Sequence, residues 1–305
     1  MSTRVVVTGG DGFLGKHVVQ RLWEHGGYDI LVPKLKTHDL RYFHEADQMY
    51  RRMEPEIVIN LAAAVGGIGA NIALPGKFFH DNLMIGMNLI EGARAYGIRK
   101  FVQIGSACEY PRDAAVPLVE SDVWNGYPEG SNAAYGVAKR ALLTMGQAYR
   151  QQYGMNIIHL LPTNLYGPGD NFGEDSHFIP AMIGKIATAV NAGKEHIVLW
   201  GTGKATRDFL YVEDAADAII LAMERYNKAE PVNLGSGREV SIFDTAQKIT
   251  VLSGFRGGIF WDTSKPDGQP RRVLDISRAK EFGFEANTLL EAGLSRTIEW
   301  YNSVR

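Results

Sequence analysis

An apolar run near the amino terminus, residues 5–8, breaks directly into a glycine-rich turn and then into a helical pattern over residues 16–25. Glycines at a spacing of three let backbone N–H groups and the start of the helix approach a pyrophosphate, and they let the helix pack closely on the strand. Because the turn follows a strand and opens a helix, we predict a dinucleotide site here rather than a plain structural turn. The residues that would line it are Gly9, Gly12, Phe13, Leu14 and Gly15.

Strand-like and helix-like segments alternate through the first half of the chain. The sequence predicts strands at 29–32, 57–61, 100–104 and 157–161, and long helices at 75–96 and 133–153. This alternation is typical of an α/β fold with a Rossmann-type doubly wound parallel sheet. The elements become shorter after residue 162, so we expect a dinucleotide-binding domain over 1–162 and a smaller C-terminal α/β substrate lobe over 163–305, with some chain returning to the first domain. Residues 162–172 are rich in turn formers and are predicted to be a functional loop without an element.

The end of the second predicted strand indicates which dinucleotide fits. In NAD sites this strand commonly ends in an acid that accepts the ribose 2′-hydroxyl, whereas Lys34 and Lys36 follow it here. Lysines suit a 2′-phosphate, so NADP(H) is predicted over NAD(H), although solvated lysines are the simpler interpretation and Asp11 opposes an extra phosphate. An acid slightly beyond such a strand often faces the adenine in this fold, which assigns Asp39. Small residues after the third strand would let the cofactor lie flat, and the cofactor contacts predicted at this strand end are Leu61, Ala62 and Ala63.

Two short segments would bring a hydroxyl, a thiol, a phenol and an ammonium together. Ser106 and Cys108 follow the strand at 100–104, where open α/β sheets bind ligands, and strand alternation would put them on one face. Tyr135 and Lys139 lie four residues apart on one face of the helix at 133–153. A Tyr four residues before a Lys is common on surface helices, and a lone cysteine is usually an inert core residue. Their combination predicts a catalytic group.

The composition argues against several classes of partner. The 305 residues are 45% hydrophobic and 22% charged, with a formal net charge of −2 and scattered basic residues, so no nucleic-acid partner is expected. No apolar run approaches the roughly twenty residues that cross a bilayer, so no membrane partner is expected. The single cysteine and the lack of an export signal at the amino terminus predict a cytoplasmic protein. The histidines form no ligand spacing, so no metal is predicted.

Further segments carry a resemblance to a known family. They are residues 61–68, 125–128, 162–172 with 176–177, 200–203, 207–210 and 264–268. Together with the glycine turn and the Ser106, Tyr135 and Lys139 group, the chain resembles the GDP-L-fucose synthases, a family of extended short-chain dehydrogenases/reductases. The likeness extends from residue 5 to about residue 300, so it covers essentially the whole chain.

The resemblance implies roles for individual residues. It assigns Ser106, Tyr135 and Lys139 to reduction, and Cys108 and His177 to epimerisation. The further cofactor contacts that it implies, besides Tyr135 and Lys139, are Pro162, Asn164, Leu165 and His177. The implied contacts with the nucleotide sugar are Asn164, Lys185, Trp200, Arg207 and Lys265.

The implied reaction is NADPH-dependent epimerisation at C3 and C5 and reduction at C4 of a GDP-4-keto-6-deoxy-hexose, giving GDP-L-fucose or a close analogue. A ketone at C4 acidifies the protons at C3 and C5, so a base, an acid on the other face and donors to the enolate oxygen can invert both centres. Ser106 and Tyr135 would be these donors. Lys139 would lower the pKa of Tyr135 and hold the nicotinamide ribose.

Other interpretations stay open from the residues alone. His177 can be no more than a neighbour of a helix start, Arg207 can form a structural ion pair, and Lys265 can be solvated. A nucleotide-sugar 4-epimerase or 4,6-dehydratase with tightly bound NAD, and a redox-sensing binding protein, are the alternative functions. The resemblance also implies a homodimer in which the two long helices pair.

Two departures from the family's pattern bear on the site. Glu109 stands where an apolar residue is usual, and strand alternation is expected to turn it away from Cys108. Gly184 and Lys185 stand where a basic pair is expected. These departures concern the sugar and the number of centres inverted more than the reaction type.

Overall fold

The computed structural model describes residues 2–173, 176–265 and 267–305. Pro266, within the segment 264–268, lies outside them. The described strands are β1 (Thr3–Thr8), β2 (Tyr28–Leu31), β3 (Ile57–Asn60), β4 (Lys100–Ile104), β5 (Ile157–Pro162), β6 (Asn164–Tyr166), β7 (His196–Trp200), β8 (Thr206–Tyr211), β9 (Val232–Leu234), β10 (Glu239–Ser241), β11 (Gly258–Asp262) and β12 (Arg271–Arg272). The described α-helices are α1 (Phe13–His25), α2 (Phe43–Met53), α3 (Ile68–Ala73), α4 (Pro75–Ala95), α5 (Ala133–Tyr153), α6 (Phe178–Asn191), α7 (Val212–Arg225), α8 (Ile242–Leu252), α9 (Ser277–Glu281) and α10 (Leu290–Ser303).

Six strands form one parallel sheet in the order β2-β1-β3-β4-β5-β9. Val6 of β1 lies opposite Leu31 on one side and Val58 on the other. The central strands are buried on both faces, which explains why they are continuous apolar runs rather than alternating ones. The chain order reverses between β1 and β3, so a crevice forms at their carboxyl ends, where doubly wound sheets bind ligands.

Helices cover both faces of this sheet. α1 and α7 pack together on one face, and α4 packs against α5 and α2 on the other. A Cβ at Gly86 of α4 would lie 2.2 Å from Leu142 of α5, so the absence of a side chain there permits the close helix contact. The predicted α/β doubly wound fold is confirmed.

A smaller lobe is built from the second half of the chain. β8 pairs with β10 antiparallel and with β12 and β6 parallel, while β7 and β11 form a separate parallel pair. α6, α8 and α10 supply much of its apolar core. β9 and α7 also follow residue 162, yet they join the large sheet and its helix layer. We therefore propose the division at 162/163 with these two elements returning to the first domain.

Local differences from the sequence-based expectations have simple causes. The segment at 162–172 was predicted to lack an element, but it contains β6, a three-residue strand that pairs with β8. Ser106 to Glu109 do not continue strand β4, because Ala107–Glu109 form a 3₁₀ turn. The expectation that alternation orients Ser106, Cys108 and Glu109 is therefore wrong. No helix in the described ranges is both long and apolar enough to span a bilayer.

Candidate active site

The turn after β1 forms a cradle of backbone atoms. Gly9 has φ +71°, and a Cβ there would lie 2.8 Å from the backbone nitrogen of Ala62, so the turn presses against the end of β3. A Cβ at Gly15 would lie 2.1 Å from the oxygen of Gly9. The described first turn of α1 holds no acid and its N-cap residue Gly12 provides no side-chain cap, so its N–H groups can meet an anion. This arrangement fits the pyrophosphate of a dinucleotide.

The charged residues near β2 are arranged differently from the expectation. Lys34 pairs with Asp11 of the glycine turn, so the lysine predicted to hold a 2′-phosphate is already engaged by a carboxylate. Lys36 is exposed. Arg41 donates to Asp39 through Nε at 2.8 Å and holds the pKa of that carboxyl below its usual range. The adenine role of Asp39 stays a prediction.

Ser106 begins the 3₁₀ turn that follows β4. Its Oγ accepts the backbone N–H of Cys108 at 3.1 Å, and its own N–H donates to Glu109 Oε1 at 2.9 Å. The two bonds form a reciprocal capping box, which fixes the turn at the carboxyl edge of the sheet. Glu109 is buried behind the turn, where Oε1 lies 3.0 Å from His159 Nε2.

Helix α5 brings Tyr135 and Lys139 to this turn. A Cβ at Gly136 would lie 2.3 Å from the oxygen of Cys108, so only glycine lets the helix approach so closely. Lys139 Nζ donates to the oxygen of Ile104 at 2.8 Å and lies 5.8 Å from the centre of the Tyr135 ring. Burial lowers the pKa of Lys139 to about 8.

The pKa of Tyr135 is raised, first by burial and then by the charges of Cys108 and Glu109, while a hydrogen bond with Ser106 acts in the opposite direction. The sequence-based expectation was that Lys139 lowers the pKa of Tyr135. In the structure the Lys139 ammonium donates to the Ile104 carbonyl instead of to the phenol. A phenol with a raised pKa is protonated at neutral pH, so its O–H can donate a hydrogen bond.

Two donors that the sequence reasoning missed lie beside the Cys108 sulfur. Asn132 Nδ2 lies 3.2 Å from Sγ, and Arg272 Nη1 lies 3.8 Å from it. Asn132 is the N-cap residue of α5, three positions before Tyr135, so the start of that helix was a usable signal. Arg272 follows Cys108 by 164 residues and has no local signal. A cationic and an amide donor thus both lie within reach of the sulfur.

The carboxyl end of β5 continues directly into the loop that contains β6. Pro162 ends β5, and Asn164 and Leu165 open β6, where the Asn164 amide donates to the oxygen of Asp208 at 3.1 Å. His177 is the N-cap residue of α6, with an exposed side chain. Partial desolvation by the surrounding chain lowers the pKa of its imidazole.

Arg207 occupies the smaller lobe close to Arg272. Arg207 Nη1 donates to the oxygens of Thr206 and Gln269 at 2.7 and 2.8 Å. Burial, followed by the nearby charge of Arg272, lowers the pKa of Arg207 to about 10. Two neighbouring guanidinium groups form a strongly cationic spot suited to a phosphate or diphosphate.

An aromatic and cationic pair lies farther out on this lobe. Lys265 Nζ lies 5.6 Å from the ring centre of Trp200, a side chain that is largely exposed. Lys185 Nζ donates to the oxygen of Val198 at 2.9 Å, and Val198 lies two residues before Trp200 on β7. The structure thus brings Trp200, Lys265 and Lys185 to one strand region. In the described ranges, no three or more His, Cys, Asp or Glu residues are grouped to hold a metal ion.

A family model and known relatives match this chain over most of its length. Residues 5–235 match the model of the NAD dependent epimerase/dehydratase family. GDP-L-fucose synthase 1 of Arabidopsis thaliana is 40% identical over 304 residues, which cover 98% of this chain and 93% of that protein.

Two solved structures are similar over nearly the whole chain. A GDP-L-fucose synthetase from Naegleria fowleri, also solved bound to NADP, is 30% identical with a TM-score of 0.92, covering 99% of this chain and 94% of that one. A GDP-6-OMe-4-keto-L-xylo-heptose reductase from Campylobacter jejuni is 27% identical with a TM-score of 0.93, covering 100% and 99%.

Proposed function

Since this chain belongs to the NAD dependent epimerase/dehydratase family and, within it, to the GDP-L-fucose synthases, we propose that it converts a GDP-4-keto-6-deoxy-hexose to GDP-L-fucose or a close analogue. The reaction combines epimerisation at C3 and C5 with reduction at C4. The observation that carries the proposal is the single 3₁₀ turn that bears both Ser106 and Cys108, against which α5 packs Tyr135.

NADP(H) is the cofactor in this proposal, supported by the relative solved with NADP and by the backbone cradle at the glycine turn. When bound, it supplies the hydride that C4 receives. The glycine turn and the start of α1 would hold its pyrophosphate. Lys139 would hold its nicotinamide ribose, while Pro162, Asn164, Leu165 and His177 would line the same crevice.

The protein's own groups perform the proton chemistry. Ser106 and Tyr135 donate hydrogen bonds to the C4 oxygen, which stabilises negative charge on that oxygen when a proton leaves C3 or C5. Cys108 removes the proton, assisted by the donors Asn132 and Arg272, and His177 returns one to the opposite face. Tyr135 then protonates the C4 oxygen during reduction, so one oxygen site serves both reactions.

The smaller lobe binds the nucleotide part of the substrate in this proposal. Arg207 and Arg272 form the cationic spot for the diphosphate. Trp200 offers a flat aromatic face for the base, with Lys265 Nζ over the ring and Lys185 held at Val198 on the same strand. Asn164 lies between this lobe and the sheet.

A homodimer and a cytoplasmic location complete the proposal. α4 and α5 form a long packed pair on one face, and α4 leaves Phe79 and Met87 partly exposed there. An apolar, partly exposed helix face supports pairing with a second copy. Cys108 is a free thiol whose chemistry needs the reduced state, which supports a reducing compartment.

The alternative of a 4-epimerase or 4,6-dehydratase that recycles bound NAD is not favoured, because the named relatives are GDP-L-fucose synthases and a GDP-keto-heptose reductase. The test is to incubate the purified protein with GDP-4-keto-6-deoxy-mannose and NADPH in deuterated water. We expect one NADPH oxidised per product and deuterium at C3 and C5. Turnover with no NADPH consumed would support the alternative.

Variants separate the two reactions. Cys108→Ser should lose deuterium exchange at C3 and C5 while it still reduces the unepimerised ketone, because Ser106 and Tyr135 are intact. Tyr135→Phe should lower the rate of reduction by about 10²- to 10⁴-fold, since it removes the proton donor. Mass spectrometry measures the deuterium exchange, and NADPH absorbance measures the rate of reduction. Equal loss of exchange and reduction in a folded Cys108→Ser protein would contradict the division of roles.

A further inference from the structure

A buried carboxylate and a buried imidazole lie directly behind the catalytic turn. Glu109 is 0% exposed and His159 is 3% exposed, and Glu109 Oε1 lies 3.0 Å from His159 Nε2. The same oxygen accepts the backbone N–H of Ser106 at 2.9 Å. A carboxylate oxygen that serves two neighbours in this way is an acceptor, so the imidazole Nε2–H donates to it.

The Glu109 and His159 side chains pack tightly against the backbone of Gly105. A Cβ at Gly105 would lie 2.2 Å from both Glu109 Oε1 and His159 Nε2, so the pair packs against a bare stretch of main chain. His159 belongs to β5, the strand next to β4. Glu109 Oε2 and His159 Nδ1 have no hydrogen-bond partner among the described residues. Buried polar atoms without partners cost free energy, so this pair is costly to keep as simple filling.

Glu109 also connects the turn to helix α5. Its main-chain oxygen accepts Arg140 Nε at 3.1 Å, and Arg140 directly follows Lys139 on that helix. Arg140 Nη1 donates to the oxygen of Gly126 at 2.8 Å as well. Glu109 therefore holds the Ser106 amide with its side chain and the Tyr135 helix with its main chain.

We propose that Glu109, anchored by His159, is a positioning residue that fixes Ser106 and Cys108 relative to Tyr135. This role rests on the proposed function and deepens it. Donors to a developing oxyanion work only when they are held within a fraction of an ångström, and Glu109 caps the amide of one of those donors. It touches neither the sugar nor the cofactor in this role.

The experiment compares Glu109→Gln, which keeps an acceptor oxygen for the Ser106 amide, with Glu109→Ile, which fills the space without one. Glu109→Ile should lower kcat for NADPH oxidation and the rate of deuterium exchange at C3 and C5 in parallel, each by about tenfold. KM for the GDP-sugar and Kd for NADPH, measured by fluorescence, should change less than twofold. Glu109→Gln should retain most of both rates.

Asp214→Asn is the matched control, because Asp214 is a buried acid of α7 that accepts the Thr288 N–H at 2.9 Å, outside the catalytic turn. It should lower Tm without lowering kcat. His159→Gln is the second variant should Glu109→Ile fail to fold, and it should lower both rates in parallel. An unchanged kcat in folded Glu109→Ile or in His159→Gln would overturn the positioning role. An equal loss of kcat in Asp214→Asn, at the same change in Tm, would also overturn it. A wild-type protein that does not oxidise NADPH with the keto-sugar would overturn the proposed function and this role with it.

Discussion

Asp11 and Lys34 meet above the glycine turn, where the 2′ position of the adenosine ribose is expected. The ion pair leaves Lys34 less free to bind a phosphate and places a carboxylate close to it. The lysine expected from the sequence is therefore present, but its charge is offset by a partner 23 residues earlier. This pair bears directly on how strongly the protein prefers NADPH over NADH.

Asp11→Asn should raise the ratio of kcat/KM for NADPH to that for NADH by about fivefold, since unit charges about 4 Å apart interact by about 1 kcal/mol in water. The affinity for 2′,5′-ADP, measured by calorimetry, should rise by a similar factor while that for 5′-ADP stays constant. Glu281→Gln, an exposed acid of α9, is the control and should change neither. An unchanged ratio in Asp11→Asn would place the 2′-phosphate elsewhere.

The surroundings of Cys108 come partly from nearby residues and partly from distant elements. Strand alternation predicted that Cys108 and Ser106 share one face, whereas they lie in a 3₁₀ turn in which the Cys108 N–H donates to Ser106 Oγ. The donors that surround its sulfur, Asn132 and Arg272, come from α5 and β12. A thiol beside such donors is better suited to remove a proton than an isolated core cysteine.

The loop that contains β6 holds a carboxyl group, Asp170, that is shielded from solvent. Burial raises the pKa of Asp170 from 3.8 to about 7. Its Oδ2 has no hydrogen-bond partner in the described part of the protein, while Oδ1 accepts the Asn171 N–H at 2.7 Å. A carboxyl whose folded-state pKa is raised contributes stability that is complete below its unfolded pKa and is lost as pH rises through the folded value.

Asp170→Asn should therefore stabilise the protein increasingly between pH 5 and pH 8, because the folded state no longer has to ionise this group. We expect a gain on the order of 2 kcal/mol at pH 8, allowing for solvent access to the loop, and a smaller gain at pH 5. Urea unfolding at several pH values measures it. Asp113→Asn, whose side chain is 94% exposed, is the control and should show a flat profile. A pH-independent difference for Asp170→Asn would contradict the raised pKa.

The 3₁₀ turn at Ala107–Glu109 is the element that sequence patterns described least well. Strand alternation predicted that Glu109 would point away from Cys108 toward the other sheet face, but the chain leaves the strand at Gly105. The turn is set by the capping box between Ser106 and Glu109. The Glu109 carboxylate is in turn held by His159, which lies on another strand. By contrast, the bounds of α5 were predicted correctly, because a long helix without breakers is a local property.

For the molecule as a whole, the proposed site is shared between the large sheet and the smaller lobe. β12 returns beside β8 and carries Arg272 to Cys108, while β8 carries Arg207. The Arg272 side chain thus joins the smaller lobe to the turn that bears Ser106 and Cys108. We expect nucleotide-sugar binding to depend on both lobes for this reason.

The proposed dimer makes a separate prediction about the α4 and α5 face. The wild-type protein should be a dimer by light scattering coupled to gel filtration, and Met87→Arg should shift it to a monomer, because a charge would be buried in an apolar helix interface. Met87 is 40% exposed in the single chain. Trp23→Arg on α1, at a position 76% exposed, is the matched control and should leave the mass unchanged. A monomeric wild-type protein would refute the pairing of these helices.

The sequence by itself determined the doubly wound sheet and the glycine turn, and it supplied the prediction of a catalytic group at Ser106, Cys108, Tyr135 and Lys139. Each of these depends on short-range patterns, namely periodicity, glycine spacing and residues within a helical turn. Only the tertiary structure decided that Lys34 is paired, that Arg272 reaches Cys108 and that Glu109 is held by His159. These contacts join residues from 23 to 164 positions apart, and packing rather than local backbone preference brings such side chains together.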